Sequence, residues 1–348
     1  MAERPQRLRK LLLGAAASAV MTAAIFASVP IAAQSPRHPS PPVGTIGPIV
    51  ESLASQRGPG AYPLFTTVDL KAGSATARQA LIIIHGRLRN ASDYFATGLA
   101  MVKEAGAAGE ATVVVAPQFL DQIDALAHHL PDRFLQWNYD WEDGAPAQSP
   151  APLQSVPSAA SSYDVFDDIV TKLSNTSSFP ALRRIVFVGH GGGAQILARY
   201  AVVMHPQAGP PVSFVIANAG TYLYPIAARP VQLECPDFNR WKYGLDNPPP
   251  YVKDVADISR EFAARDVTLL LGTKDRKATG ILDQSCAAKT QGRNRFERGR
   301  NFARLLAARG IAPNLKYVIV SGVGHNERGM LLSSQAAAAV FALGDVSR

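Results

Sequence analysis

The residues with the clearest chemical meaning lie in a glycine-rich turn at residues 189–193, with the sequence GHGGG. An apolar, β-branched run precedes this turn, and a helix-forming run follows it. A strand, a sharp turn and a helix in this order present one side chain, which in the pattern G-x-S-x-G is a serine nucleophile. Gly189 and Gly193 hold the two glycine positions, but Gly191 stands at the serine position. The sequence therefore predicts a nucleophile turn without its hydroxyl.

An acidic residue and a histidine follow two later apolar runs. Asp275 lies just after residues 267–271, and His325 lies just after residues 317–320. Acyl transfer needs a base beside the nucleophile and an acid that orients the base. One known arrangement of these groups has the chain order nucleophile, acid, histidine, which is the order found here. We therefore predict that Asp275 holds the ring of His325 and that His325 is the base.

Other acids and histidines fit these roles less well. Asp283 is a rival acid, but it lies beyond the turn at the strand end, and Asp140 precedes the glycine-rich turn. An aspartate after a strand is also a common turn or helix-cap residue. His190 lies inside the turn, where we expect it to pack beneath the backbone. His38, His128, His129 and His205 are also weaker candidates for the base.

Two backbone N–H groups are candidates for stabilising the oxyanion of an acyl-transfer reaction. Arg87 lies in the loop after the apolar run 80–84, where a strand-to-helix loop supplies one donor. Gly192 follows the nucleophile position and would supply the second donor. Both are backbone groups, so the loss of a serine side chain removes neither. The side chains of Arg87 and Arg89 would also favour an anionic group if they faced the site, although exposed arginines are more often simply solvated.

Apolar, β-branched runs alternate with helix-forming stretches along the chain. Strands that alternate with helices indicate an α/β fold with a mostly parallel sheet and helices on both faces. Side chains after the carboxyl ends of such strands meet in one crevice, which would bring Gly191, Asp275 and His325 together. The predicted strands lie at residues 80–84, 111–116, 185–188, 212–217, 267–271 and 317–320, and predicted helices include 163–173 and 196–203.

Two stretches interrupt this alternation. Residues 120–162 are long, aromatic and loop-like, and such segments are often functional. Residues 221–264 follow the strand after the glycine-rich turn and carry several aromatic residues, among them Tyr222 and Trp241. We predict a lid-like insertion at 221–264. An ordered surface excursion with its own small core is the alternative.

The N-terminus has the composition of a secretory signal. Basic residues precede an Ala-rich apolar run at residues 11–33, and a small-residue cleavage site ends at Ala33. We predict a signal peptide at 1–33, a Pro-, Ser- and Gly-rich tether at 34–60 and one domain at 61–348. The mature protein would be periplasmic or secreted, with no stable membrane insertion after cleavage. The apolar run is just long enough to cross a bilayer, so an uncleaved membrane anchor is the alternative.

The two cysteines allow a single intramolecular disulfide. Export leads to an oxidising compartment, in which disulfides persist. Because the chain contains only Cys235 and Cys286, one pairing exists. We predict a disulfide between these residues, and two buried free thiols are the alternative.

The composition argues against several functions. Apolar residues make up 47% of the 348 residues, which is enough for a sizeable core. The formal net charge is +8, of which +3 belongs to residues 1–33. The remaining charge forms no basic stripe with interleaved aromatic residues, the pattern that nucleic-acid binding needs. The sequence also contains no metal-ligand cluster, nucleotide fingerprint or phosphate loop, so we expect no cofactor, no metal and no nucleic-acid partner.

Several short motifs occur in the order that they have in one known group of proteins. The chain resembles the α/β-hydrolase superfamily, and within it exported bacterial and fungal esterase-like proteins, over most of the chain beyond the tether. The resemblance implies that Asp275 and His325 occupy the acid and base positions and that a serine would stand where this chain has Gly191. The matching segments are 85–90 (HGRLRN), 115–119 (VAPQF), 189–190 (GH), 235–236 (CP), 241–245 (WKYGL), 291–296 (QGRNRF) and 322–325 (GVGH).

The glycine at the nucleophile position leaves several interpretations open. Folding does not require a serine there, because glycine adopts strained backbone angles more easily, but covalent catalysis does. The protein is then a non-catalytic descendant that binds a small-molecule ester or similar ligand, an enzyme in which His325 activates water directly, or an ordinary esterase altered at Gly191. A structural or adaptor role is a further alternative, since a fold alone does not establish function.

Overall fold

The computed structural model describes Met1 and residues 40–138, 140–148, 159–278 and 281–341. The strands are β1 (Ile49–Ser55), β2 (Gly58–Thr66), β3 (Gln79–Ile84), β4 (Thr112–Pro117), β5 (Arg184–His190), β6 (Val212–Ala217), β7 (Asp266–Gly272) and β8 (Leu315–Val320). The helices are α1 (Ala91–Glu104), α2 (Gln122–Ala127), α3 (Ser162–Leu173), α4 (Gly192–Val203), α5 (Pro250–Lys253), α6 (Ile258–Ala263), α7 (Cys286–Lys289), α8 (Arg295–Ala308), α9 (Glu327–Leu331) and α10 (Ser334–Phe341). Short 3₁₀ turns occur at Gly106–Ala108 and Asp140–Asp143.

The strands form one eight-stranded sheet in the order β1-β2-β4-β3-β5-β6-β7-β8. Neighbouring strands from β4 to β8 pair in parallel, whereas β2 pairs antiparallel with both β1 and β4. The prediction of a mostly parallel sheet is confirmed. Because the carboxyl ends of parallel strands lie at one edge, the loops after β3, β5, β7 and β8 meet there.

Both faces of the sheet are buried by helices. In β3, Ile82 and Ile84 belong to the larger apolar cluster, together with residues of α3, α4 and α8. Leu81 and Ile83 belong to the smaller cluster, together with residues of α1, α9 and α10. Successive side chains of a strand point to opposite faces, so a strand that is covered on both sides needs an unbroken apolar run. This requirement explains why the parallel strands could be predicted from the sequence.

Helix α4 lies inside the larger apolar cluster. All of its residues are buried, and the ring of Tyr200 lies 4.9 Å from Phe166, 5.7 Å from Phe187 and 6.0 Å from Phe214, measured between centroids. Aromatic pairs at these separations are close-packed. The packing therefore fixes the first turn of α4 relative to the edge of the sheet, and with it the loop that begins the helix.

The tether predicted at residues 34–60 extends less far than expected. β1 and the first part of β2 lie in this range and pair along their whole shared length. Before β1, the Val43 N–H donates to Asp124 Oδ1 at 2.9 Å, and the Gly47 N–H donates to Gln118 Oε1 at 2.9 Å. Backbone pairing and these long-range contacts order a Gly- and Pro-rich segment that has little apolar pattern of its own.

The region 221–264 lies between β6 and β7 and includes α5 and α6. Its side chains Tyr222, Tyr224, Tyr251 and Phe262 are at most 1% exposed and belong to the larger apolar cluster. The region is therefore packed into the body of the domain through its aromatic residues. Its role as a lid stays a prediction.

Cys235 and Cys286 form a disulfide, with their Cα atoms 5.8 Å apart. The predicted pairing is confirmed. The bond joins the region 221–264 to the first residue of α7.

No helix in the described ranges has both the length and the apolar character needed to cross a membrane. Apart from Met1, the predicted signal peptide with its apolar run and cleavage site lies outside the described residues.

Candidate active site

Gly191 lies at the sharp turn between β5 and α4. Its backbone angles are φ 59° and ψ −112°, and it is the N-cap residue of α4. Its N–H donates a hydrogen bond of 3.1 Å to the carbonyl of Ala217 on the neighbouring strand. Glycine reaches such a conformation freely, whereas other residues reach it only with strain. The predicted sharp turn with a positive φ is confirmed.

The two flanking glycines are required by close packing. A Cβ atom on Gly189 would lie 2.6 Å from the backbone of Gly193, and a Cβ atom on Gly193 would lie 2.2 Å from the carbonyl oxygen of Ile84. Neither position admits a side chain unless the backbone moves. At Gly191, by contrast, the near neighbours of a Cβ atom would be the Nε2 and Cε1 of His325, at 3.2 and 3.4 Å. The backbone therefore closes the turn tightly at both ends, whereas its apex faces the His325 ring.

Asp275 and His325 come together beside this apex. His325 Nδ1 lies 2.8 Å from Asp275 Oδ2, and the opposite ring nitrogen, Nε2, is the atom that faces Gly191. The Asp275 side chain is 3% exposed and that of His325 is 29% exposed. A ring that is held through Nδ1 presents Nε2 to a reacting group, as a general base must. The structure thus brings three predicted site residues together, and their catalytic roles stay a prediction.

Asp275 has a second partner that the sequence analysis missed. Arg295, at the start of α8, has its Nη1 3.6 Å from Asp275 Oδ1 and is 5% exposed. Burial lowers the pKa of Arg295, and the nearby Asp275 carboxylate opposes that shift. The Asp275 carboxylate is therefore shared between His325 and Arg295. The segment 291–296 was one of the matching motifs, but nothing in its sequence indicated this contact.

The two predicted oxyanion donors lie side by side at the turn. The Arg87 nitrogen is 3.0 Å from the position that a Cβ atom on Gly192 would occupy. Within the part of the chain that the structure describes, neither the Arg87 N–H nor the Gly192 N–H donates a hydrogen bond. Two unpaired backbone donors next to a nucleophile turn match the requirements of an oxyanion hole.

His85 fixes the peptide group that carries one of these donors. The Phe119 N–H donates to His85 Nε2 at 2.9 Å, so the proton of the neutral ring is on Nδ1, which donates to the Gly86 carbonyl at 2.8 Å. That carbonyl belongs to the same peptide group as the Arg87 N–H. Burial lowers the pKa of His85 to about 4, so the ring is neutral near pH 7.

A buried carboxylate that the sequence analysis missed lies against the same donors. Glu142 is 4% exposed and belongs to the 3₁₀ turn Asp140–Asp143. Its Oε1 accepts a hydrogen bond from Arg87 Nε at 2.9 Å, and its Oε2 accepts one from Gln195 Nε2 at 2.6 Å. A Cβ atom on Gly192 would lie 2.6 Å from Oε1. The aromatic loop 120–162 therefore contributes a charged group to the site.

Arg89 does not face the site, contrary to one expectation. Its side chain is fully buried, with Nε donating to Asp124 Oδ2 at 2.6 Å and Nη2 donating to the Pro41 carbonyl at 2.9 Å. Only Arg87, whose side chain is 42% exposed, remains as an arginine of this loop that a ligand could reach. An arginine with an adjacent buried carboxylate is structural, and the sequence spacing between Arg89 and Asp124 did not reveal the pair.

The rival acid Asp283 belongs to a different cluster. Its carboxylate accepts hydrogen bonds from the Tyr243 hydroxyl at 2.5 Å and from the Ser285 N–H at 2.9 Å. Burial opposes its ionisation, but Lys242 and these hydrogen bonds outweigh burial and lower the pKa of Asp283 to about 2. Asp140 lies in the 3₁₀ turn that also contains Glu142.

The other histidines lie in different surroundings. The His190 ring packs against His325, with centroids 4.5 Å apart, and burial lowers the pKa of His190 well below its usual value. His128 Nε2 lies 2.6 Å from the Val43 carbonyl oxygen, and His205 lies 3.5 Å from Asp167. His129 has a positive φ, and His38 lies outside the described residues. Among the described residues, no group of three or more His, Cys, Asp or Glu side chains could hold a metal ion.

No protein-family profile matches the chain, and no curated protein sequence matches it. Many solved structures are similar to it, among them the following two. A poly(3-hydroxybutyrate) depolymerase from Bordetella parapertussis has 22% sequence identity and a TM-score of 0.56, over 83% of this chain and 88% of that chain. The poly(aspartic acid) hydrolase-1 from Sphingomonas sp. KT-1 has 22% identity and a TM-score of 0.56, over 85% of this chain and 99% of that chain. These similarities confirm the predicted α/β-hydrolase fold.

Proposed function

We propose that this protein is an exported, carboxylic-ester-binding protein on an α/β-hydrolase frame, in which Gly191 prevents covalent acyl transfer. One observation carries the proposal. The Asp275–His325 pair and two unpaired N–H groups converge on a turn whose apex has no side chain. A carbonyl oxygen would accept hydrogen bonds from Arg87 and Gly192, and its acyl carbon would lie over Gly191. Without an Oγ atom, no acyl-enzyme can form.

We also propose that the protein is exported and that it has no nucleic-acid partner. The Cys235–Cys286 disulfide fits an oxidising compartment, and the basic, apolar N-terminus fits a signal peptide. An uncleaved N-terminal anchor would place the same domain at a membrane surface, and Edman sequencing of the mature protein distinguishes the two. A mature chain that begins at Gln34 supports cleavage, and an intact N-terminus supports the anchor.

Direct hydrolysis by water is a second candidate, and the position of His325 Nε2 beside a residue without a side chain favours it. In this candidate, a water molecule would lie beside His325 Nε2, where a serine hydroxyl would otherwise lie. His325 would take a proton from the water as its oxygen bonds to the acyl carbon, and the oxyanion would be held by the Arg87 and Gly192 N–H groups. Collapse of this intermediate would break the ester C–O bond. The departing alcohol would take the proton back from His325, leaving a carboxylic acid.

Ester recognition, which both candidates share, is tested by restoring the hydroxyl. We expect the Gly191→Ser variant to hydrolyse short p-nitrophenyl esters at least about 10²-fold faster than the native chain, because the base, its partner and both donors are already present. The matched control is Gly191→Ala, which fills the same Cβ position without a hydroxyl and should stay at the native rate. An inactive Gly191→Ser variant would count against ester recognition at this site.

The native chain itself decides between binding and direct hydrolysis. If it only binds esters, its rate should equal that of a His325→Ala variant. Native turnover that His325→Ala abolishes, and that Gly191→Ala reduces by occupying the space of the water, would make direct hydrolysis the function.

A further inference from the structure

We propose that Glu142 is a positioning residue that holds the two oxyanion donors at a fixed separation. The inference rests on the proposed function, because it concerns the same oxyanion hole. It adds a residue from a part of the chain that the nucleophile, acid and base pattern does not include.

The two donors lie on different elements, and the Glu142 carboxylate joins these elements. On one side, Arg87 in the loop after β3 donates to the carboxylate through Nε at 2.9 Å and Nη2 at 3.2 Å. On the other side, Gln195 in the first turn of α4 donates to Oε2 at 2.6 Å. Gly192 lies in that same first turn. One carboxylate therefore connects the side chain of the first donor residue to the helix that carries the second.

The carboxylate is itself held in place. Arg199, also on α4 and fully buried, donates through Nη1 to the Glu142 carbonyl at 3.2 Å and through Nη2 to the Thr221 hydroxyl at 2.7 Å. The Thr221 hydroxyl in turn donates to Gln195 Oε1 at 3.2 Å. The Glu142 side chain is 5% exposed. Water therefore has little access to the network, in which each hydrogen bond restricts its neighbours.

Because Glu142 lies close to Gly192, the distance between the Arg87 and Gly192 N–H groups depends on the position of Glu142. A Cβ atom on Gly192 would lie 2.6 Å from Glu142 Oε1 and 3.0 Å from the Arg87 nitrogen. Glu142 and Arg87 thus lie on the same side of Gly192, where a side chain would otherwise point. An oxyanion hole works only when its donors lie about 2.7–3.1 Å from the oxyanion, so a shift of a few tenths of an ångström at this contact would weaken it.

The charge of Glu142 by itself would oppose catalysis. A carboxylate next to a developing oxyanion repels it, but the guanidinium of Arg87 is paired with this carboxylate and offsets its charge. The Glu142 carboxylate raises the pKa of Arg87 more than any other cause, so the arginine stays charged. The benefit of Glu142 is therefore geometric, and its removal should lower the rate.

The kinetic test uses the Gly191→Ser background. Glu142→Gln keeps the shape but gives Arg87 and Gln195 a competing donor, and it should lower kcat by about 10²-fold, the loss expected for one oxyanion donor. KM should change by less than about threefold, because ground-state binding uses the donors less. The matched control is Asp164→Asn, since Asp164 has the same 5% exposure and accepts a bidentate pair from Arg57. Its kcat should not change.

If the Glu142→Gln variant does not fold, a second variant tests the same inference. Gln195→Met removes the donor on α4 and leaves the Arg87–Glu142 pair, and it should lower kcat by about tenfold with KM nearly unchanged. Unchanged kcat in both variants, while Gly191→Ser itself is active, would overturn the role of Glu142 and leave the proposed function standing.

A measurement on the native chain makes the inference independent of catalysis. In amide NMR spectra, the Arg87 and Gly192 N–H resonances should shift or broaden in Glu142→Gln and stay in place in Asp164→Asn. If they stay in place in both variants, Glu142 does not hold the donors, whatever the activity of Gly191→Ser.

Discussion

At the scale of single residues, Gly191 adopts the backbone angles of the turn without strain, but it supplies no nucleophile. Its φ of 59° and ψ of −112° are angles that cost a non-glycine residue about 1–3 kcal/mol. A nucleophilic serine in this turn would carry that strain permanently. The native glycine carries no such strain. Stability therefore favours glycine at this position, whereas covalent catalysis requires serine.

We therefore expect Gly191→Ser to lower the free energy of unfolding by about 1–3 kcal/mol. The new Cβ must also push the His325 ring back by a few tenths of an ångström from 3.2 Å. Urea titrations of the native, Gly191→Ser and Gly191→Ala proteins would measure the loss. Both variants should lose a similar amount, because the cost comes from the backbone and Cβ. A serine variant as stable as the native chain would show that the turn relaxes.

His85 makes the stability of the fold depend on pH. Its pKa is about 4 in the folded protein, against 6.5 for an ordinary histidine, with burial as the main cause. The unfolded chain then binds more protons than the folded one between these values, so stability falls as pH falls through this window. The full loss is about 3.5 kcal/mol, at about 1.4 kcal/mol for each pKa unit, and it is complete below pH 4.

The measurement compares unfolding free energies at pH 7 and pH 4. The His85→Gln variant should lose less stability than the native protein between these values, although its stability at pH 7 will also be lower. His190 has a lowered pKa as well, so some pH dependence should remain. Identical slopes for the native and variant proteins would contradict a neutral, buried His85.

Much of the site could be predicted from local sequence. Gly191, Asp275 and His325 each follow an apolar run, and parallel strands bring such positions to one edge. Glu142 and Arg295 could not be found in this way. Their contacts join segments that are far apart in the chain, and neither lies after a strand. Side-chain contacts of that kind depend on how loops fold back over the sheet.

At the scale of elements, the segment before β1 is tied to the oxyanion loop through a buried ion pair. Arg89 Nη2 donates to the Pro41 carbonyl, and Asp124 accepts from both Arg89 and the Val43 N–H. Arg89 follows Arg87 by two residues. The order of the N-terminal segment and that of the loop therefore depend on one pair of charges.

Removal of Arg89 should be strongly destabilising. Arg89→Met leaves the Asp124 carboxylate buried without its main partner, and breaking such a pair costs about 3–5 kcal/mol. The control is Arg293→Met, whose arginine is 88% exposed and pairs with Glu297 on the surface, where the loss should be far smaller because solvent screens the pair. Thermal unfolding monitored by circular dichroism would test both. Equal losses would show that burial of the Arg89 pair carries no special cost.

Strands β1 and β2 could not be predicted from the pattern of apolar residues. The parallel strands are buried on both faces and have unbroken apolar runs. β1 has the burial pattern of an edge strand, with Val50 44% exposed, and β2 contains Gly58, Pro59 and Gly60. Such strands are held mainly by backbone pairing with a neighbour, which no local run of residues encodes.

At the scale of the whole molecule, the disulfide closes a long loop that contains one residue of the site, Asp275. Cys235 and Cys286 are separated by 51 residues, and the loop includes β7 and Asp275. Cross-linking a loop of this length should stabilise the fold by about 4 kcal/mol, mainly by restricting the unfolded chain. Loss of the bond would thus lower the stability of the whole fold.

We expect the double variant Cys235→Ser/Cys286→Ser to unfold at a markedly lower temperature than the native protein. Thermal unfolding scans of both proteins without reductant would measure the difference. Thiol titration supplies the check on the bond itself. The native protein, unfolded without reductant, should show no free thiol, and two thiols would contradict the disulfide.

The lack of a side chain at Gly191 also has a genetic consequence. The glycine codons GGT and GGC become the serine codons AGT and AGC by change of a single base. A gene that encodes Gly191 with either codon is therefore one point mutation from a hydroxyl that would meet an aligned histidine and two waiting donors. Under the proposed function, a population carrying such a gene would need only this one base change to recover an esterase.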